Sequence, residues 1–108
     1  LDIHKKWTNL ITKEFFKQGD MERSQGLAIS PLCDRENVVI SKSQDGFLKI
    51  LVKPLFETWE DFIRQNNEEN EELAVFVCMR NIIQNIEYWE SEYQNYKDGE
   101  NVFEIDDS

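Results

Sequence analysis

Gln44 and Phe47 are the residues whose types and spacing point most directly to chemistry, and they lie in the stretch SKSQDGFLKILVKPLF, residues 41–56. At helical spacing they belong to one row of residues: Ile40, Gln44, Phe47, Leu51 and Leu55. Steps of three and four residues return to the same side of an α-helix, so a primary amide stands in an apolar face. Because an unpartnered amide in an interior costs about 1–3 kcal/mol, Gln44 requires a partner. That partner is either a protein group or a ligand edge with both a donor and an acceptor, such as a purine, against which Phe47 can stack.

Length and composition restrict the class of protein. The 108 residues are enough for one small domain, and 40% hydrophobic and 12% aromatic residues indicate a packed core rather than disorder. The formal net charge of −10 disfavours nucleic acid and anionic membrane surfaces as partners, since both require clustered Lys and Arg. We therefore expect no nucleic-acid binding and no direct membrane contact by this segment.

The cysteines do not indicate a metal site. Cys33 and Cys78 lie in separate segments without CxxC spacing, and His4 is the only histidine. Reduced structural thiols favour a cytoplasmic setting, or the cytoplasmic face of a membrane if the parent protein is anchored there. The sequence has no run of 18 apolar residues and no signal-peptide pattern. Because Leu1 is not an initiator methionine, we expect the chain to be part of a longer protein.

The first part of the chain predicts a helix followed by a loop. Residues 2–18 carry an apolar stripe, with Asp2 as the expected N-terminal cap and Gly26 as an alternative C-terminal end. The segment LAISPLCDREN then reads as a loop, with Asp34 expected to cap the helix that follows it.

The second part predicts two further helical segments and a tail. The helical pattern resumes near residue 36, and Pro54 within it predicts a kink or a break. After an acidic connector at 65–72, residues 72–95 predict an amphipathic helix. Its apolar seam consists of Val75, Met79, Ile82, Ile86, Trp89 and Tyr93. The expected fold class is therefore all-α with three or four helices, and the acidic tail at 97–108 is expected to be disordered.

Four motifs follow one another along the chain in an order that resembles a known protein family. They are the Trp7–Thr8 pair, EFFKQGD, ISPLCDR, and SQDGF within SKSQDGF, which PLFETW follows. This arrangement is similar to the C-terminal third of the catalytic domain of class I 3′,5′-cyclic nucleotide phosphodiesterases. The resemblance is strong over residues 1–63 and weaker in the final helix. It implies that residues 1–96 are the C-terminal helical subdomain of that multi-helix catalytic domain.

The resemblance also assigns substrate-binding residues position by position. Gln44 matches the glutamine that hydrogen-bonds the purine of cyclic AMP or cyclic GMP, and Phe47 and Ile11 match the two sides of the clamp on the base. Further matches to pocket-lining positions are Trp7, Thr8, Thr12, Phe15, Leu32 and Ser43, with His4 standing where a tyrosine is common. From the residues alone His4 reads as a surface or pocket-rim group, because no carboxylate partner lies nearby in sequence.

The catalytic centre of the resembled family is missing from this chain. The family uses two divalent metals, zinc and magnesium or manganese, held by two histidines and two aspartates that match positions before Leu1. We therefore expect no catalytic and no metal-binding residue here, and no hydrolysis by the fragment alone. The complete enzyme would hydrolyse cyclic AMP, cyclic GMP or both to 5′-nucleoside monophosphates.

The implied partners are the upstream part of the catalytic domain and the cyclic nucleotide, with a homodimer of the parent as a further possibility. The sequence leaves one alternative open, a non-catalytic acidic helical interaction module. Such a module would use the apolar seam of residues 72–95 to pair with another helix.

Overall fold

The computed structural model describes residues 1–66 and 69–106. Within them the elements are α1 (Asp2–Ser24), α2 (Ile40–Phe47), a π-helical turn (Leu48–Val52), α3 (Lys53–Gln65) and α4 (Glu69–Lys97). None of the described residues lies in a β-strand, which confirms the predicted all-α class. No helix within these ranges is long and apolar enough to cross a lipid bilayer.

Helix α1 extends beyond the predicted residues 2–18 and ends at Ser24, close to the alternative C-terminal end predicted at Gly26. Leu1 is the N-cap, and no side chain caps the helix, so the prediction that Asp2 caps it was wrong. Asp2 instead lies in the first turn, where its negative charge interacts favourably with the helix dipole. At the other end Gly26 has φ 71°, and the Leu27 N–H donates to the Glu22 carbonyl at 2.9 Å. This is a Schellman ending, which requires the left-handed backbone that glycine adopts without strain.

Helix α2 begins at Ile40, later than the residue near 36 that the periodicity predicted. Asp34 accounts for the delay, because its carboxylate accepts hydrogen bonds from the Glu36 N–H at 3.0 Å and the Asn37 side chain at 2.6 Å. Such local bonds offer the backbone an alternative to helix. Asp34 therefore caps a turn rather than the helix itself.

The disturbance predicted at Pro54 takes the form of the π-helical turn just before it. The backbone keeps right-handed helical angles at Leu48 and Lys53, so the chain does not break. Pro54 lies in the first turn of α3, a position where its fixed φ suits a helix. The wider turn thus lets the chain pass from α2 to α3 without a loop.

Helix α4 supplies the core. It packs along α2, the π-helical turn and α3. The cluster at its centre contains Leu48, Ile82, Ile86 and Trp89, and Val75 and Ile63 are also fully buried. Four residues of the predicted seam are therefore buried, and Met79 packs against them. The connector predicted at 65–72 lies partly outside the described residues, and α4 already begins at Glu69.

Residues 98–106, called here the C-terminal segment, carry no helix but contact two helices. The Phe103 N–H donates to Glu92 on α4 at 3.0 Å, and the Asp106 N–H donates to Asn9 on α1 at 2.7 Å. The Phe103 ring lies edge-on to Trp89, with centroids 5.2 Å apart. The boundary at residue 96 and the disorder of 97–108 stay predictions, and residues 107–108 lie outside the described part.

Candidate functional site

A cavity of about 550 Å³ opens between α1, the loop that follows it, and α2. Its lining residues are His4, Trp7, Thr8, Ile11, Thr12, Phe15, Leu32, Val38, Ile40, Ser43, Gln44, Phe47 and Leu51. We call it the α1–α2 cavity. Every residue that the resemblance assigned to substrate binding lies on its wall, although the roles assigned to those residues stay predictions. The cavity is mostly apolar with a few polar groups, which is typical of small-molecule sites.

Helix α1 forms one wall because of its periodicity. His4, Trp7, Thr8 and Ile11 recur at steps of three and four, and this places them on one face. Thr8 is buried, whereas the Trp7 side chain is 65% exposed. The apolar stripe of α1 therefore lines an open cavity rather than a filled core.

Leu32 reaches the cavity from the loop through an unusual backbone conformation. Its φ of 68° is left-handed, which is uncommon for a residue with a large side chain. The Cys33 N–H donates to the Ser30 carbonyl at 3.1 Å, so residues 30–33 form a turn with Pro31 at its second position. A turn of this kind needs positive φ at the third position, and Leu32 occupies it.

Several contacts fasten the loop to α1. Glu22 accepts hydrogen bonds from the Ser30 N–H at 2.6 Å and the Ser30 hydroxyl at 2.8 Å. Arg23 pairs with Asp34 at 2.6 Å. Hydrogen bonds from Gln18 and then Ser30 hold the pKa of the Glu22 carboxyl below its usual value. These contacts fix the loop that carries Leu32.

The same loop passes against α1 at Gly19. A Cβ atom at this position would collide with the carbonyl oxygen of Cys33, so only glycine permits the approach. Cys33 is buried, and this burial, followed by the charge of Glu22, raises the pKa of its thiol. Cys33 and Cys78 are both free thiols, consistent with the expected structural role.

Gln44 lines the cavity from α2. The residue is half-buried, and its side chain makes no hydrogen bond to any residue in the described ranges. The protein partner that would satisfy the amide is therefore absent from these parts of the chain. Phe47 and Ile11 line the same cavity, and each is 49% exposed.

His4 joins the cavity wall to α4. The fully buried Trp89 donates its Nε1–H to His4 Nε2 at 2.8 Å, with the rings edge-on and centroids 5.9 Å apart. Burial is the main cause that lowers the pKa of His4. The structure thus gives His4 a buried partner that the sequence did not reveal, because Trp89 lies 85 residues away.

Three lining residues were not among those assigned to the site. Ile40 and Leu51 share the helix row with Gln44, and this spacing was a usable signal. Val38 lies in the loop before α2, although the sequence pattern placed it in the helix predicted to begin near residue 36.

The described residues contain no group of three or more His, Cys, Asp or Glu side chains that could hold a metal ion. The residues of the described ranges therefore do not fit a two-metal centre.

Comparisons with known proteins agree with the motifs. The sequence profile of the family described as 3'5'-cyclic nucleotide phosphodiesterase matches residues 1–73. The chain is 48% identical over 69 residues to a Drosophila melanogaster 3',5'-cyclic-AMP phosphodiesterase, isoform F, a match that covers 64% of this chain and 10% of the relative. Isoforms N/G from the same organism are also 48% identical over 69 residues, with 64% of this chain and 7% of the relative covered. The matched part is thus a tenth or less of these relatives' length. Since the profile covers more than half of the sequence, the chain belongs to the 3'5'-cyclic nucleotide phosphodiesterase family.

Proposed function

We propose that this chain forms the base-binding wall of a phosphodiesterase that hydrolyses cyclic AMP, cyclic GMP or both to 5′-nucleoside monophosphates. Family membership supports the hydrolase class, and the relatives named as cyclic-AMP phosphodiesterases support cyclic AMP as a substrate. The observation that carries the proposal is the Gln44 amide, which lies on an apolar cavity without a hydrogen-bond partner among the described residues.

The amide of Gln44 suits a purine edge. It offers one carbonyl acceptor and two N–H donors, so it can pair with a base that presents a donor beside an acceptor. Rotating the amide exchanges the two, and neighbouring groups would then decide between adenine and guanine. A ligand in this position would satisfy the amide that the described residues leave unpaired.

Phe47 and Ile11 are proposed to hold the two faces of the base. Both side chains are half-exposed on the cavity wall, so a planar ring could cover apolar surface on each. Stacking on an aromatic ring contributes about 0.5–1.5 kcal/mol beyond the burial of area. The clamp would fix the plane of the base while Gln44 reads its edge.

The hydrolytic centre is proposed to lie in the preceding part of the catalytic domain. The family is metal-dependent, and a pair of divalent ions would activate water and neutralise charge at phosphorus. Zinc with magnesium or manganese is the expected pair. The residues of this chain would contribute binding and orientation of the nucleotide.

The interaction-module alternative is not favoured. It required the seam of α4 to be free, but Val75, Ile82 and Trp89 are buried within the chain itself. Other faces of α4 were not part of that hypothesis.

The test is Gln44→Ala in the complete catalytic domain. Losing two neutral hydrogen bonds, at about 0.5–1.5 kcal/mol each, should lower kcat/KM for the preferred cyclic nucleotide roughly 5- to 150-fold. Metal content should not change. The matched control is Gln84→Ala, since Gln84 is exposed on α4 and does not line the cavity. Unchanged kinetics in Gln44→Ala would contradict the assignment of Gln44, and an inactive wild-type domain would contradict the enzymatic function.

A further inference from the structure

The indole of Trp89 lies among the rings of His4, Tyr88 and Phe103. Trp89 is 0% exposed, and Tyr88 and Phe103 lie edge-on to it with centroids 4.7 and 5.2 Å away. Its Nε1–H is the only polar group of the side chain, and it donates to His4 Nε2 at 2.8 Å. Leaving a buried donor unpaired costs about 1–3 kcal/mol, so the bond to His4 stabilises this arrangement.

The bond determines the protonation of His4. A nitrogen that accepts a hydrogen bond carries no proton, so a neutral His4 must carry its proton on Nδ1. This Nδ1–H makes no hydrogen bond to another described residue, and His4 lines the α1–α2 cavity. His4 therefore has a donor that no described residue of this chain engages.

We propose that Trp89 is a positioning residue for nucleotide binding, which holds His4 as the neutral Nδ1–H tautomer so that the ring offers a hydrogen-bond donor to a ligand in the cavity. Trp89 follows the segment matched by the family profile, residues 1–73. The inference rests on the proposed function for the identity of the ligand. It extends that function by giving α4 a role at the site.

The charges around His4 agree with a neutral ring. On α1 the charged residues that flank His4 in sequence are Asp2, Lys5 and Lys6, and the Lys5 ammonium lies 4.5 Å from the centre of the Tyr88 ring. On α4, Glu92 accepts from the Phe103 N–H, and burial followed by Glu92 raises the pKa of Tyr88 to about 12. The C-terminal segment presents the apolar ring of Phe103. None of these described carboxylates pairs with His4, so nothing here favours the imidazolium.

The first test is the tautomer of His4, measured by nitrogen NMR of the ¹⁵N-labelled complete catalytic domain. The His4 signals are identified by their loss in His4→Gln. We expect the Nδ1–H form in the wild type and a shift toward Nε2–H in Trp89→Phe, which keeps an aromatic ring but removes the donor. The pKa of His4 should also rise, because the lost bond favoured the neutral form. Trp59→Phe is the matched control and should change neither value, since Trp59 contacts Phe56 and does not line the cavity.

The second test separates binding from chemistry. Trp89→Phe should raise KM for the cyclic nucleotide roughly two- to tenfold with kcat nearly unchanged, as the loss of one positioned hydrogen bond predicts. His4→Gln keeps an acceptor and a donor and should retain more affinity than His4→Leu, which keeps neither. If Trp89→Phe fails to fold, the comparison of His4→Gln with His4→Leu still tests the proposal.

Two results would overturn the proposal. One is an Nε2–H tautomer or an imidazolium at His4 in the wild type at pH 7.5, and the other is equal KM values for His4→Gln and His4→Leu. If the wild-type domain hydrolyses no cyclic nucleotide, the proposed function fails instead, and the NMR measurement still decides whether Trp89 fixes the tautomer.

Discussion

The helical segment formed by α2 and the π-helical turn has two apolar faces with opposite surroundings. Leu48 is 3% exposed and lies in the cluster formed with Ile82, Ile86 and Trp89. Its neighbour Phe47 is 49% exposed on the α1–α2 cavity. One face is covered by α4, while the other has open space between it and α1.

The difference shows that apolar periodicity alone does not distinguish a core from a binding site. Of the row picked out by the sequence, the residues from Ile40 to Leu51 line the cavity, whereas Leu55 does not. The covered row of the same segment runs from the buried Leu48 to Val52 and Phe56, which are partly buried against the same cluster. Both rows follow steps of three and four, so only the position of α4 decides which one is buried.

The largest effect is expected from shortening a side chain on the face that α4 covers. Leu48→Ala should lower the free energy of unfolding by about 2–5 kcal/mol, because it leaves a cavity in a packed cluster. Leu51→Ala is the matched control in the same segment, and with Leu51 60% exposed its cost should be below about 1 kcal/mol. Urea unfolding followed by tryptophan fluorescence measures both, and equal losses would show that the cavity face is buried in the folded protein.

Gly19 and Gly46 offer a second comparison between a covered position and an open one. Gly19→Ala should destabilise the protein by about 1–3 kcal/mol, since its Cβ would collide with the Cys33 carbonyl and force the loop away from α1. Gly46→Ala should instead stabilise α2 by about 0.5–1 kcal/mol, because a Cβ there meets no described atom within 4 Å. Thermal unfolding of the two variants should give shifts of opposite sign, and shifts of the same sign would contradict this account.

Substitutions on the cavity face should change the affinity for the nucleotide rather than the stability of the fold. Phe47→Ala in the complete catalytic domain should raise KM for cyclic AMP about tenfold through loss of stacking. Phe76→Ala is a control, since Phe76 is 60% exposed on α4 and does not line the cavity. If Phe76→Ala raised KM as much as Phe47→Ala, the effect would not come from the cavity.

The smallest effect is expected at the ion pair between Arg35 and Asp20, which joins the loop to α1 at 2.7 Å. The hydrogen bond from Arg35 is the main cause that holds the pKa of Asp20 below its usual value. A lowered folded pKa means that the stabilisation is present above the unfolded value, about 3.9, and is lost as pH falls through the folded value. Asp20→Asn should therefore lower the unfolding midpoint slightly at pH 7 and match the wild type in strong acid. A difference that persists in strong acid would assign the effect to packing rather than charge.

Local sequence rules accounted for much of the helix pattern. The seam of α4 followed from spacing, and the loop before α2 followed from Pro31 and its neighbours. The start of α2 and the π-helical turn did not follow. Asp34 bonds to backbone that a periodicity count treats as helical, and Pro54 permitted a kink, a break or a widened turn equally.

The sequence by itself determined the family and the all-α class, and its motifs picked out ten of the thirteen residues that line the cavity, because motifs and helical spacing are local properties of the chain. Only the tertiary structure decided which apolar face is open, that Val38 joins the cavity wall, and that Trp89 donates to His4. The physical reason is separation along the chain. Contacts between residues 85 positions apart depend on how the helices pack, and no local pattern encodes that arrangement.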